Sequence, residues 1–499
     1  TEENKKSKTG NSQQEGTETA MKGFQIQQKG ERRISAALRI MLVVVLLAVQ
    51  IGFVVAISYF MQEYLALAYG VVQVGALFLA VHIYNEPGEL SYKLIWFILL
   101  LLAPIAVDKL TRQLPAWSRT ANYLCRRDFQ LYQNTSVTYL PEGTILLRNL
   151  IDRAAKAERF IFLEYFILAE GKLWDELEKI LCAKAREGVE VKIIFDDFGN
   201  IKRFSGETID RLREVGVEVF IFNPVHEYVN RLHFNYRDHR KIACIDGDVA
   251  YTGGVNIADE YANLIERFGY WKDSGVCLEG EGAWGLTASF IRMCVNLGGV
   301  MHNEHDYYRP HTPVKSEGFC QPFTDGPQNN PDNPAEDVFL QMISGARRFL
   351  YITTPYFIPD ESLMRALCIA GDGGVDVRLM LPGKPDHWYA DCVAESYFGE
   401  LIKHGVKVYR YTPGFLHGKS IMVDREAAFV GSANMDYRSF ELDYECGVMV
   451  YSAPMIESLL EDMDMIVDRS HLVTAEEWAK RSVLRRVFEP LLRLFAIWM

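Results

Sequence analysis

The chain has 499 residues, room for two or three domains, with 49% hydrophobic residues and a formal net charge of −12. That acidic balance excludes a global electrostatic pull toward nucleic acid, although a local basic patch stays possible on an acidic protein. Nine scattered cysteines with no CxxC pair exclude a zinc framework or disulfide scaffold and point to reduced, mostly buried thiols on the cytosolic side.

Residues 1–35 are polar and read as a flexible tail. Residues 36–108 read as membrane sequence. The run IMLVVVLLAVQIGFVVAISYF predicts a span over about 37–60, and YLALAYGVVQVGALFLAVHIY predicts another over 64–84. The first run is too long, and lacks a cleavage site, for a removable signal. A third apolar segment, 94–107, is short and contains Pro104. Lys22, Lys29, Arg32, Arg33 and Arg39 precede the first span and place the N-terminus in the cytoplasm. Two full spans return the chain there as a hairpin, with the third segment half inserted. Three full crossings put the remainder outside. The free thiols, with Lys109, Arg112 and Arg119, favour the hairpin and cytoplasmic catalytic lobes.

Residues 109–140 read as a linker. Beyond it, apolar β-type runs alternate with helical ones. RFIFLEYFIL reads as a buried strand, KLWDELEKILCAKAREG as a helix ending at Gly188, and VEVKIIFDDFG and VEVFIFNP as further strands. The order recurs in RFLYITTPYFIP, GGVDVRLMLPG and HGVKVYRYTP. Matched order predicts two copies of one α/β fold, at 141–320 and 338–475, joined by a turn-rich linker at 321–337. The first copy takes 15 steps from Pro224 to His239, against 4 from Pro413 to His417. Its longer loop is one place where substrate choice can differ. Residues 476–499 form a basic amphipathic end, suited to anionic lipid or to the chain's own membrane segments.

Each copy carries the same string, HxK-x4-D-x6-GG/GS-x-N, and the two strings lie 178 positions apart. In HRKIACID, residues two apart share a strand face, so His239 and Lys241 point one way. Asp246-Gly247 suits a hairpin turn that returns Asn256 beside them. HGKSIMVD with GSAN repeats the plan with His417, Lys419, Asp424 and Asn434. Two such clusters facing each other supply two imidazoles, two cations and two amides. That set fits phosphoryl transfer: Lys and Asn hold phosphate oxygens, one His attacks phosphorus and the other protonates the leaving alcohol. It calls for no metal and no other cofactor.

The two strings match the motif of the phospholipase D superfamily. The surrounding FLEYF, DDFG, TGGVNIADEY, FGYWKD, TTPYFIP and GSANMDYRSFELDYE resemble bacterial cardiolipin synthases. The resemblance implies two phospholipase D-like α-β-α lobes packed pseudo-twofold behind N-terminal transmembrane helices, with one active site between them. It implies transfer of a phosphatidyl group between two phosphatidylglycerol molecules, giving cardiolipin and glycerol, at a membrane and without nucleic acid. The family's catalytic positions fall on His239, Lys241 and Asn256 and on His417, Lys419 and Asn434. Asp246 and Asp424 complete the motif, in a structural role or orienting a His. A downstream acid that buttresses a His corresponds to Glu445 in the second half and Asp273 in the first. The family assigns attack to the first copy, hence His239, and acid/base work to His417. The chain departs from its relatives where the third apolar stretch stops at Val107 rather than continuing rich in glycine and aromatics.

Other readings stand beside this one: a phospholipid hydrolase, a phosphatidylserine-synthase-like transferase, a nuclease or a non-catalytic scaffold. Asp196-Asp197 read as a cap or pocket edge rather than a catalytic pair. His302, His305 and His311 read as loop histidines rather than metal ligands.

Overall fold

The computed structural model describes residues 106–225, 235–302, 306–312 and 314–493. The expected tail, both spans and nearly all of the third apolar segment lie outside them, as does most of the longer loop before His239. No helix among the described residues is long and apolar enough to cross a membrane.

Seven strands build the first lobe: β1 (Thr135–Leu140), β2 (Phe160–Tyr165), β3 (Glu190–Asp196), β4 (Glu218–Phe222), β5 (Lys241–Ile245), β6 (Val249–Gly253) and β7 (Gly275–Gly280). Seven more build the second: β8 (Phe319–Asp325), β9 (Phe349–Thr353), β10 (Asp376–Pro382), β11 (Lys407–Tyr411), β12 (Ser420–Val423), β13 (Ala427–Gly431) and β14 (Asp443–Tyr451). The first sheet runs β1-β7-β6-β5-β2-β3-β4 and the second β8-β14-β13-β12-β9-β10-β11, the same order of seven twice, with Ser470–Leu472 added antiparallel to β11 in the second. In both, a parallel trio (β2-β3-β4, β9-β10-β11) meets an antiparallel hairpin. The duplication expected from sequence is therefore present strand for strand.

Central strands read as unbroken apolar runs because both faces are covered. All six residues of β2 are buried. The helix Lys172–Arg186 covers one face with Leu173, Trp174, Leu177 and Leu181, spaced along one stripe. Lys184 and Arg186 in its last turn oppose the helix dipole, and Gly188 leaves it at φ +92°. The other face shares a core with the second lobe. There Phe162 stacks on Phe290 at 4.5 Å, and Val276 and Leu278 join Met422, Val448 and Leu459 in one buried cluster. Each fully buried side chain of this size contributes about 1.5–3 kcal/mol, so the lobes are fused rather than tethered.

Both stretches expected as linkers carry structure. Within 109–140, β1 forms the first sheet's edge, antiparallel to β7. Ahead of it, Trp117, Ala121 and Leu124 are buried with Phe339 and Met342 of the second lobe. Gln321 fastens this segment, its Nε2 donating to the carbonyls of Ala121 at 3.1 Å and Phe129 at 2.8 Å. Within 321–337, β8 forms the second sheet's edge despite Pro322, since an edge strand tolerates a missing donor. A helix, Pro334–Gly345, begins before the stretch ends. The basic end also folds back: the helix Val483–Arg493 lies along Trp388–Lys403, with Arg485 2.9 Å from Glu395 and Arg493 over the Tyr397 ring.

Candidate active site

The motif hairpins fold for a local reason. Asp246 and Gly247 adopt φ +53° and +70°, the left-handed pair a tight turn needs, and Asp424 adopts +55°. The Asp246 carboxylate accepts from the backbone N–H groups of Glu158 (2.9 Å), Arg159 (2.7 Å) and Phe160 (2.9 Å). Asp424 does the same for Arg347 (2.8 Å), Arg348 (2.9 Å) and Phe349 (2.9 Å). Each clamps its turn to the start of the neighbouring strand, at the end of the motif strand remote from the lysine, roughly 16 Å away by extended-strand geometry. Of the two roles the sequence left open for Asp246 and Asp424, the structural one matches this placement. Neither orients an imidazole.

The histidines sit at the other end, and each leans on the opposite lobe. The backbone N–H of His239 donates to the Tyr444 carbonyl at 3.0 Å, and that of His417 donates to Lys272 at 2.7 Å. Short parallel pairings hold these contacts: Arg237–Asp238 beside Asp443-Tyr444, and Gly414–Leu416 beside Tyr270–Lys272. The next residue in each partner strand is the buttressing acid. His239 Nδ1 lies 2.9 Å from Glu445 Oε1, and His417 Nδ1 lies 2.6 Å from Asp273 Oδ2. The acids expected from sequence are thus exchanged between lobes.

Glycines admit this crossing. A Cβ on Gly254 would stand 2.2 Å from Asp273 Oδ1 and 3.0 Å from the His417 carbonyl. The second motif has Ser432 at this position. Its hydroxyl donates to Glu445 Oε2, while Ser439 donates to Glu445 Oε1 at 2.8 Å. Sequence reasoning missed both serines. The signal was available as the GS that replaces GG.

Lys241 and Lys419 are 1% exposed. Lys241 donates to the His239 carbonyl, and Lys419 Nζ lies 3.0 Å from both ring nitrogens of His417. Burial lowers Lys241 to about 8 and Lys419 to about 7. Burial and the Lys241 charge push His239 well below its ordinary value. Burial and Lys419 bring His417 down to about 4, against the pull of Asp273. The two acids diverge. Burial raises Glu445 to about 7. For Asp273 burial also acts upward, but His417 and Lys419 outweigh it and hold the carboxyl below its usual range.

Asn256 accepts from the Ile167 N–H at 3.0 Å and donates to the Tyr261 hydroxyl at 2.8 Å. Asn256, Asn434 and both histidines line one cleft of about 850 Å³, shared with Arg203, Glu260, Arg267 and Arg438. Asp196 caps Phe198 at 2.8 Å, as its position after a strand suggested. It also accepts from the Asp238 N–H at 2.9 Å and from Arg237 at 3.2 Å, fixing the segment that enters His239. His302 and His311 lie in loop contacts with Tyr307 and the Asp306 carbonyl, and His305 lies outside the described residues. Among the described residues, His239, Asp443 and Glu445 bring ligand-type atoms within 4.8 Å of one another. His239 and Glu445 already meet each other, and Arg438 lies 3.3 Å from Asp443.

This arrangement offers two imidazoles, each with Nδ1 engaged, beside two buried cations on one cleft. It suits a phosphodiester. The model for the family "Cardiolipin synthase, PLD-like domain" matches residues 147–266 and again 339–467. A cardiolipin synthase of Halalkalibacterium halodurans is 36% identical over 380 residues, 76% of this chain and 75% of that protein. One of Clostridium perfringens is 36% identical over 386 residues, 75% of this chain and 77% of its own length. Among solved structures, the phosphatidylserine synthase of Haemophilus influenzae shares the fold, with a TM-score of 0.55 at 15% identity over 72% of this chain and 92% of that one. With the duplicated sheet, both motifs and relatives matched over three quarters of its length, the chain belongs to the cardiolipin synthase family of phospholipase D-like enzymes.

Proposed function

We propose that the protein is a membrane-bound phosphatidyltransferase that joins two phosphatidylglycerol molecules into cardiolipin and glycerol through a phosphohistidine on His239. The observation that carries this reading is the reciprocal pairing of His239 with Glu445 and His417 with Asp273 around one cleft. The acid holds Nδ1 of each ring, so Nε2 is the nitrogen that serves the substrate, with Lys419 moving from His417 Nε2 to the phosphate as it binds. An anionic phosphodiester between Lys241 and Lys419 offsets the positive field that, after burial, keeps the histidines neutral, and His417 then takes up a proton. His239 Nε2 attacks phosphorus, the bond to the departing glycerol oxygen breaks, and His417 gives that oxygen its proton. The hydroxyl of a second phosphatidylglycerol enters next. His417 removes its proton, the new oxygen–phosphorus bond forms, and the His239–phosphorus bond breaks. Lys241, Lys419, Asn256 and Asn434 stabilise the charge that develops on the phosphoryl oxygens.

The lobes, read as a pseudo-twofold pair, stand in this proposal behind membrane helices at 37–60 and 64–84, on the cytoplasmic side. The long apolar runs and the basic residues before them support that placement. Hydrolysis uses the same histidines with water as acceptor. Exclusion of water by a second lipid separates the two outcomes.

The test is purified full-length protein in phosphatidylglycerol vesicles without nucleotide. Equimolar cardiolipin and glycerol are expected, with an acid-labile label on His239 after a quench. A requirement for cytidine-activated lipid, or phosphatidic acid as sole product, overturns the reading.

A further inference from the structure

The two walls of the cleft differ in charge. Four residues past the motif asparagine stands Glu260 in the first lobe and Arg438 in the second. Glu260 is 5% exposed and sits between two guanidinium groups, with Arg203 Nη1 2.8 Å and Arg267 Nη1 3.2 Å from its Oε1. Both arginines use one nitrogen on one shared oxygen. Among the described residues neither has another carboxylate within ion-pair distance, which leaves the rest of each N–H fork on the cleft wall.

The Glu260 and Arg267 part of this wall lies in a stretch longer than its counterpart. From Asn256 to Asp273 the chain takes 17 steps, against 11 from Asn434 to Glu445. The inserted segment holds Arg267 and the exposed side chains of Leu264 and Ile265. Its flanks reach His417: the rings of Tyr261 and Trp271 lie 5.4 and 5.5 Å from the imidazole. Beside Arg203, Phe198 and Ile201 are also exposed. The wall next to His417 therefore has paired guanidinium groups with Phe198 and Ile201 lining the cleft beside them, and Leu264 and Ile265 exposed on the inserted segment.

We propose that Arg203 and Arg267, held together by Glu260, form a subsite for the phosphodiester of the second, acceptor phospholipid, with its acyl-glycerol part against the apolar side chains beside them. This rests on the transfer reading. In that reaction the acceptor carries its own phosphate, three carbons from the attacking hydroxyl, and His417 is the group that takes the hydroxyl proton. A guanidinium fork binds a phosphodiester in two-point fashion, and sharing one carboxylate oxygen fixes both forks without spending them. The donor phosphate has separate cations in Lys241 and Lys419. The asymmetry of the insertion then assigns one wall to the acceptor, as an ordered exchange of glycerol for lipid requires.

Glycerol itself separates the two sites, because it accepts the phosphatidyl group but carries no phosphate. Full-length enzyme in phosphatidylglycerol vesicles is assayed for cardiolipin formation and for exchange of labelled glycerol into phosphatidylglycerol. In Arg203→Gln, Arg267→Gln and the double variant, cardiolipin formation should fall at least tenfold more than exchange. The KM for phosphatidylglycerol as acceptor should rise, and product should shift toward phosphatidic acid. Arg203→Lys and Arg267→Lys should fall between, and exchange by every variant reports that it has folded. Equal loss of both activities, or loss of neither, overturns the subsite. A wild-type enzyme that makes no cardiolipin and exchanges no glycerol sinks the transfer reading and the subsite with it.

Discussion

His417 of the second lobe and Asp273 of the first meet at 2.6 Å across the lobe interface, and His239 meets Glu445 at 2.9 Å in the opposite direction. Neither lobe supplies both the motif histidine and the acid that holds it. The proposed chemistry depends on their fusion.

Asp273→Asn tests the first pair. An amide cannot stabilise an imidazolium as a carboxylate does. We expect kcat to fall by about 10²–10⁴-fold, the range a positioned acid/base supplies, with the fold retained. Steady-state cardiolipin synthesis and a far-UV spectrum check it. Loss below tenfold argues against the pairing.

Glu445 gives a signed effect of pH on stability. Its folded value, about 7, lies above the ordinary 4.5, so the native state holds a proton that the unfolded chain releases. Its contribution is present below about pH 4.5 and is lost as pH rises through 7. Thermal unfolding of wild type minus Glu445→Gln should show this loss between pH 5 and 8, on the order of 1–3 kcal/mol. Making the comparison in a His239→Gln background removes the opposite trend of that histidine, which touches Glu445. A flat difference contradicts the burial argument.

The clamps at the turns predict instability without a chemical defect. Asp246→Ala or Asp424→Ala leaves three backbone donors without their carboxylate, which costs about 2–4 kcal/mol. Denaturant midpoints should drop, while turnover per folded molecule stays within about threefold. A selective loss of turnover would place these residues back in the chemistry.

Gly254→Ala brings a methyl group onto Asp273 Oδ1. The carboxylate must move, and His417 loses its anchor. Activity should fall by about 10–100-fold, with destabilisation of about 1–3 kcal/mol. Gly206→Ala, where nothing lies within 4 Å of the added carbon, is the control expected to do neither.

Lys419→Met removes the cation beside His417. The imidazole should then titrate higher, since Asp273 is left to act against burial and the weaker push of Lys241 only. The acid limb of kcat/KM should move to higher pH, on top of a loss of about 10²-fold or more from missing phosphate contacts. An unmoved limb would show that Lys419 does not set the histidine's charge.

The duplication was legible because each strand order repeats around a string too specific for chance. His239, Lys241, Asn256 and their partners at 417, 419 and 434 could be named from spacing, and the structure gathers them. The exchange of Asp273 and Glu445 was not legible. Spacing ranks residues along the chain, whereas these contacts join strands 144 and 206 positions apart. The edge strands β1 and β8 were read as linkers because half-buried, turn-rich or proline-containing sequence carries little periodicity. Arg203 and Arg267 were passed over for a similar reason: a surface-like arginine shows its purpose only once Glu260 draws two together.

Trp117, Ala121 and Leu124 bury their side chains against Phe339 and Met342, more than two hundred positions downstream. At translation rates of about 5–20 residues per second, those apolar groups leave the ribosome some 10–40 seconds before their partners exist. Their early exposure makes residues 106–131 a natural holding point for a chaperone. A truncated message ending after the first sheet would yield a sticky fragment rather than half an enzyme.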